Sequence, residues 1–174
     1  SIEIETVKLV KTSATIGVLF LRYNDRGGSL YEFNRLNFDT RQFIPLGSSA
    51  RVLALRFAAS FTDVANDRLV PFYLMETLGG SHSLRGFPEF RFRDRHLMHL
   101  SAEYRFEAAT WLEFAAFYDA GKVFSRRSEF DFNDLQKAYG GGVRFKSSNG
   151  VLLRVDVGKS TEGVQVYLKL GSSF

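Results

Sequence analysis

Residues 78–95 read LGGSHSLRGFPEFRFRDR and put four arginines, Arg85, Arg91, Arg93 and Arg95, within eleven positions. Guanidinium groups grip carboxylates and phosphates through planar, two-pronged hydrogen bonds. A nucleic-acid surface is one use of such a cluster, but the chain's 23 cations are interleaved with 19 anions, the net charge is only +4, and 85–95 alone is concentrated. Nucleic-acid binders gather their cations along a whole face or helix, so that partner is set aside. Ser81-His82-Ser83 has no carboxylate spaced to complete a triad. His96-x-x-His99 lacks a helical setting and a third ligand, which leaves two strand-end histidines in a polar interior or loop rather than a metal site. Gly140-Gly141-Gly142 lies in a strand and precedes no helix, so it marks close backbone approach or a kink, not a phosphate loop. No carboxylates pair convincingly for hydrolysis. With no cysteine, the chain has neither thiolate chemistry nor disulfides. The residues therefore point away from an enzyme, a metal or a cofactor, and toward a charged loop whose partners lie elsewhere in the chain.

The elements that must hold this loop are strands. Val164, Val166, Leu168 and Leu170 share one face of 163–173, opposite Gln165, Tyr167 and Lys169. Val151, Leu153, Val155 and Val157 oppose Arg154 and Asp156, while Met98, Leu100, Ala102, Tyr104 and Phe106 oppose His99, Ser101, Glu103 and Arg105. This period of two predicts strands over 13–23, 30–44, 50–63, 97–107, 111–124, 138–147, 150–159 and 163–173. Residues 1–12 alternate weakly, as a linker or a ninth strand. The 30–44 strand slips phase near Asn34–Arg35, as a bulge would make it do. Turns sit at 24–29, 44–49, 107–110, 147–150 (with its Asn-Gly) and 160–163. The longest apolar run, IGVLFL at 16–21, is far short of the roughly 20 residues of a spanning helix. At 174 residues the length fits one domain, 13–174. No charged-then-apolar leader opens it, as expected of a mature segment or a fragment.

From the fourth connection onward long and short connections alternate: 64–96 and 125–137 are long, 108–110 and 148–149 short. An all-β, antiparallel up-and-down barrel is built this way, with long loops at one end and tight turns at the other. Alternation gives two faces but not which one points outward. The polar face carries Arg56, Glu103, Arg105, Glu113, Asp119, Arg144, Arg154, Asp156 and Lys169 at mid-strand heights, where a lumen would let opposite signs pair. The other face is apolar and has aromatics near strand ends: Tyr104, Phe106, Phe114, Tyr118, Phe124 and Phe174. That favours a transmembrane barrel in contact with a lipid bilayer. A soluble lipocalin-like carrier is the alternative that the pattern leaves open.

Several pieces in order resemble one family. LGGSHSLRGF resembles the Gly-Gly then Arg-Gly-aromatic motif in the sixth extracellular loop of the BamA, TamA and two-partner-secretion barrels, the bacterial surface antigen superfamily. AEYRF (102–106) and FYDAGKVF (117–124) are similar to the Glu-x-Arg and Asp-Ala-Gly strands that follow it. LGSSF at the end resembles the terminal Gly-x-x-aromatic, Gly171 to Phe174, although Ser172 stands where an aromatic or apolar residue is usual. FNRLNFDTRQFIPLGSSARVLALRFAAS is similar to the strand-turn-strand before the loop.

The resemblance implies the C-terminal eight strands of a sixteen-stranded outer-membrane barrel, bacterial or organelle-derived. The implied role is inserting outer-membrane proteins or moving polypeptides across the membrane; a structural or anchoring barrel without insertase activity is the alternative. It also implies that Arg85 folds into the lumen onto Glu103 and Asp119, with Gly86 giving the tight backbone and Phe87 an anchor. Eight strands enclose only their own side chains, so a loop spanning 64–96 calls for missing strands or a second chain to widen the barrel, unless the chain closes alone with the loop outside.

Overall fold

The computed structural model describes residues 2–11, 14–24, 31–64, 68–147 and 150–170. Its strands run in chain order: β1 (Ile2–Lys11), β2 (Ala14–Asn24), β3 (Glu32–Leu46), β4 (Ser48–Val64), β5 (Glu76–Leu78), β6 (Phe92–Asp94), β7 (His96–Ala109), β8 (Leu112–Phe124), β9 (Gln136–Ser147), β10 (Gly150–Ser160) and β11 (Gly163–Leu170). Nine of them form one antiparallel meander, each strand beside the next, and β5–β6 is a separate short hairpin inside the long β4–β7 connection. The meander has nine strands in place of eight because Ile2–Lys11 pairs with β2 along its whole length.

The sheet does not close. Among the described residues β1 pairs only with β2, and β11 only with β10. Closure of this chain upon itself is therefore not what the structure shows. The long loop lies on the inner side of the sheet, where Arg85 is bonded to Asp119 of β8, and not outside it.

Strand parity now has a direction. Register aligns Arg41 with Arg56, Arg56 with Ser101, Ser101 with Asp119, Asp119 with Ala138, and Asp156 with Gly142 and Tyr167, all on the inner face. There Glu103, Asp119, Arg144 and Asp156 are buried, whereas Leu55, Tyr104, Phe114, Tyr118, Tyr139 and Leu168 on the other face are exposed. In a water-soluble protein charged side chains are almost never fully buried unless paired, and large apolar ones go inside. The inverted arrangement is that of a membrane barrel with lipid outside and a polar interior, not of a soluble carrier. No helix among the described residues is long and apolar enough to cross a membrane.

Two local expectations are corrected. Pairing of β3 with both neighbours runs unbroken through Asn34–Arg35, and its register shift falls at Pro45/Leu46. The apparent slip arises because Phe33 is an inner-face aromatic, 1% exposed and stacked on Tyr23 at 5.3 Å. Phe124 does not belong to an outer aromatic girdle. It is buried on the outer side beneath residues 125–135, against Phe61 (6.4 Å), His96 (5.2 Å) and Phe130 (6.1 Å).

Candidate functional site

The loop tip hangs from the β5–β6 hairpin. Gly80 N–H donates to the Phe87 carbonyl at 3.0 Å, and Ser83 Oγ ties Gly79 through both its N–H (3.0 Å) and its carbonyl (2.8 Å). At the tip, Gly86 has φ of 142°, a backbone that side-chain-bearing residues rarely adopt. This turn reverses the chain so that Leu84 and Phe87 enter a small apolar cluster with Leu78 and Ala138, while Arg85 between them aims at the strands. Phe87 meets Phe92 edge-on at 5.1 Å. Of the four arginines of the segment only Arg85 is buried. Arg91 is held on the surface by Glu162 at 2.8 Å, whose hydrogen bond raises its pKa, and Arg93 lies over Phe72 at 4.1 Å.

Arg85 is saturated. Its Nε donates to Asp119 Oδ2 at 2.7 Å and its Nη2 to Asp119 Oδ1 at 2.8 Å, a two-pronged grip. Nη1 donates to Glu103 Oε2, and Nη2 also reaches Ser101 Oγ at 3.3 Å. The guanidinium carbon sits 3.6 Å from the centroid of the Phe117 ring, adding a cation–π contact in a dry setting. Burial pulls the Arg85 pKa down, but the bonds and charges of Asp119 and Glu103 outweigh it and raise the pKa above its ordinary value, so Arg85 stays charged. Ser101 Oγ donates to Asp119 Oδ1 at 2.6 Å and holds the carboxylate for the fork.

A second rank of charges surrounds the first. Glu103 Oε1 accepts from Arg105 (2.7 Å) and Arg144 (2.7 Å); Arg144 also reaches Glu113 (3.1 Å), and Arg154 binds Asp156 (2.5 Å). Acids of β7 and β8 thus face arginines of β9 and β10 across the inner face. Desolvating each ion costs several kcal/mol, so such a cluster persists only when its hydrogen bonds are nearly complete.

The floor under the loop is made of missing side chains. A Cβ on Gly158 would lie 2.1 Å from the Arg85 carbonyl oxygen, and one on Gly140 would lie 2.7 Å from the Phe117 ring edge. Only glycine lets the loop backbone come so close. From above the floor, Ser160 Oγ donates to the Gly86 carbonyl at 2.6 Å and Tyr167 Oη donates to the Phe87 carbonyl at 2.6 Å. The loop tip is therefore tied to β7 and β8 by charge and to β10 and β11 by hydroxyls.

The structure thus brings Arg85, Glu103 and Asp119 together, with Gly86 and Phe87 beside them. Gly171 and Phe174 lie outside the described residues. Sequence reading does not reach Ser101, Phe117, Gly158, Ser160 or Tyr167. Inner-face parity is the signal that could have found Ser101 and Phe117. The two histidines have local structural roles: Thr62 N–H donates to His96 Nδ1 at 3.1 Å, and His99 Nε2 pairs with the Ser83 carbonyl at 3.0 Å. Among the described residues no group of acids and histidines is arranged to hold a metal.

The fold and the loop can now be set beside known proteins. A family model described as the Omp85 superfamily domain matches residues 12–174. The chain belongs to the Omp85 superfamily. Its structure is similar to that of BamA from Haemophilus ducreyi lacking POTRA domains 1-3, with a TM-score of 0.71 and 17% identity over 88% of this chain and 36% of that one. This Omp85 chain therefore spans little more than a third of that relative, as expected for the C-terminal portion of the barrel. No curated protein sequence matches it. Within an Omp85 barrel the inner face described above is the lumen, and the loop carrying Arg85 is folded into it.

Proposed function

We propose that this chain is the C-terminal part of an outer-membrane barrel that inserts other outer-membrane proteins or moves polypeptides across the membrane. The observation that carries the reading is the pairing of an open edge at β11 with a loop latched inside the lumen. An edge strand offers a row of unpaired backbone groups to an incoming strand. A barrel whose seam lies beside such an edge can template β-pairing within the bilayer, where unpaired backbone is too costly to persist. The latch keeps the wall next to the seam in shape: Arg85, Glu103 and Asp119 pin the loop to β7 and β8, and Tyr167 ties the same loop to β11. No bond is made or broken in this work, so the lumenal charges act as structure and not as acid or base.

The test is an insertion assay with the full-length polypeptide folded into lipid vesicles. Expected is faster folding of an unfolded outer-membrane substrate than in protein-free vesicles, with the gain reduced by Arg85→Ala. A folded, bilayer-embedded protein that gives no gain refutes the insertase reading and leaves the anchoring one.

A further inference from the structure

The outer wall of the barrel is largely apolar, but it carries lysines at the end where the long loops lie. β8 leads into residues 125–135 and β9 leaves them, so Lys137 stands near that end. β10 runs antiparallel to β9 and brings Lys159 to the same end. Both lysines follow the outer-face parity of their strands, which Tyr139 and Val157 share. Lys159 lies opposite Tyr139, and Lys137 is two residues along from Tyr139, so the two lysines are diagonal neighbours with Cβ atoms about 7 Å apart. Both are exposed, and no described residue makes an ion pair with either. The acids of the adjoining connections do not serve them. Asp131 holds Lys122, Glu162 holds Arg91, and Asp134 is exposed in its loop and joined to neither lysine. Two like charges this close repel each other until an anion joins them.

Beside the pair the wall is hollow. Ala102 and Ala120 are diagonal neighbours on β7 and β8, and their small side chains lie between the larger Leu55, Leu100 and Tyr118. The result is a groove of about 450 Å³ that reaches from Leu55 and Phe57 to Leu135 and Lys137. An apolar groove that ends at a cation fits an amphiphile, with an acyl chain along the wall and an anionic head at the lysines. In a barrel, lysines near the loop end stand at headgroup level, where a cation on the outer face costs little, and exposed tyrosines such as Tyr118 and Tyr139 mark the same interface. We infer that Lys137 and Lys159 together bind the phosphomonoester headgroup of a membrane lipid whose acyl chain lies over Ala102 and Ala120. Two cations match a phosphomonoester, which carries nearly two negative charges at neutral pH, better than a phosphodiester with one. This rests on reading the face as the lipid side of a membrane barrel.

Lipid retention tests it. The full-length protein is folded into phosphatidylcholine vesicles that contain phosphatidic acid, a phosphomonoester, and phosphatidylglycerol, a phosphodiester, in equal minor amounts with the same acyl chains. Heat-modifiable migration on gels first establishes a folded barrel; its absence is a failure of the barrel reading and not of the lipid site. After gentle detergent extraction, mass spectrometry of the intact protein reads the lipid retained. Phosphatidic acid is expected to be retained about fivefold over phosphatidylglycerol, the worth of one further exposed ion pair. That preference is expected to disappear in a folded Lys137→Gln/Lys159→Gln double variant. Retained phosphatidic acid is expected to fall in Ala102→Leu, which fills the groove and leaves both lysines in place. Arg51→Gln, on the same outer face toward the short-turn end, should change neither. Equal retention of the two lipids overturns the inference, as does a preference that survives the double variant or a folded Ala102→Leu that releases no lipid. Retention of no lipid, as polypeptide covering the groove would cause, overturns it too.

Discussion

Replacing Arg85 by alanine removes the only described cation bonded to Asp119. That carboxylate is fully buried and keeps only the Ser101 hydroxyl at 2.6 Å and the Arg85 main-chain N–H at 3.3 Å. Glu103 is better protected, since Arg105 and Arg144 still reach it at 2.7 Å each. The loss therefore concentrates on Asp119, and breaking a buried pair from one side costs about 3–5 kcal/mol. Asp119→Asn alone leaves Arg85 with Glu103 and exchanges a charge-assisted fork for weaker bonds, at about 1.5–3 kcal/mol. Once Asp119 is neutral, little charge remains stranded when Arg85 is also removed. The double variant is thus expected to be more stable than the sum of the single losses allows, by a coupling of about 1–3 kcal/mol. Urea unfolding of the lipid-embedded protein, followed by loss of heat-modifiable migration, measures all four corners of the cycle. Additive losses within about 0.5 kcal/mol refute the direct pairing.

Gly158→Ala sets a methyl group 2.1 Å from the Arg85 carbonyl and is expected to unseat the loop, seen as new protease cleavage within 79–91; Gly141→Ala, on the outer face, should leave the digest unchanged. Tyr167→Phe removes the 2.6 Å bond to the Phe87 carbonyl and is expected to lower the urea midpoint by the equivalent of about 1 kcal/mol. Leu55→Arg puts a charge on the lipid face and should cost about 2–4 kcal/mol if it sits at mid-bilayer, measured by the same unfolding assay. Asp131, outside the barrel, has its pKa lowered by the hydrogen bond from Lys122 and then by the Asn133 N–H. A lowered carboxylate pKa stabilises the fold above the unfolded value, near pH 3.9, and that contribution is lost as pH falls through the folded one. A nitroxide at Ser128 should therefore report a 125–135 segment that is ordered at pH 7 and grows more mobile as pH falls past the unfolded value, and mobility that does not change on acidification refutes the clamp.

Which parts of this were legible in the sequence follows from the range of the interactions. Alternation is local, so β7, β8 and β10 could be read to within two residues at either end. Side-chain class becomes a poor guide where the loop or 125–135 covers a strand. Phe33 and Phe124 therefore misled the reading: an aromatic under a loop looks in sequence like an aromatic in lipid. Parity places Glu103 and Asp119 on one face, but nothing in spacing selects Arg85 over Arg91, Arg93 or Arg95, and that choice came from the family motif. Tyr167 lies 80 positions from Phe87, so no local pattern could have joined them. Gly158 sits in a strand like any other glycine until the loop above it is known.

The chemistry of the latch also explains why charge is used where apolar packing would serve stability as well. A buried ion pair is seldom more stable than a well-packed apolar substitute. An apolar loop tip, though, could settle anywhere along the glycine floor of β9 and β10. The two-pronged grip of Arg85 on Asp119, with Phe117 beneath and Ser101 fixing the carboxylate, has one low-energy register. Misplacing it by one residue along the strand would leave a guanidinium and the buried Asp119 carboxylate without each other. That penalty sets the height of the loop in the barrel, and through Ser160 and Tyr167 it sets the position of β10 and β11 as well. The edge strand β11 is thus positioned by charges three and four strands away, on β8 and β7, with the loop as the link between them.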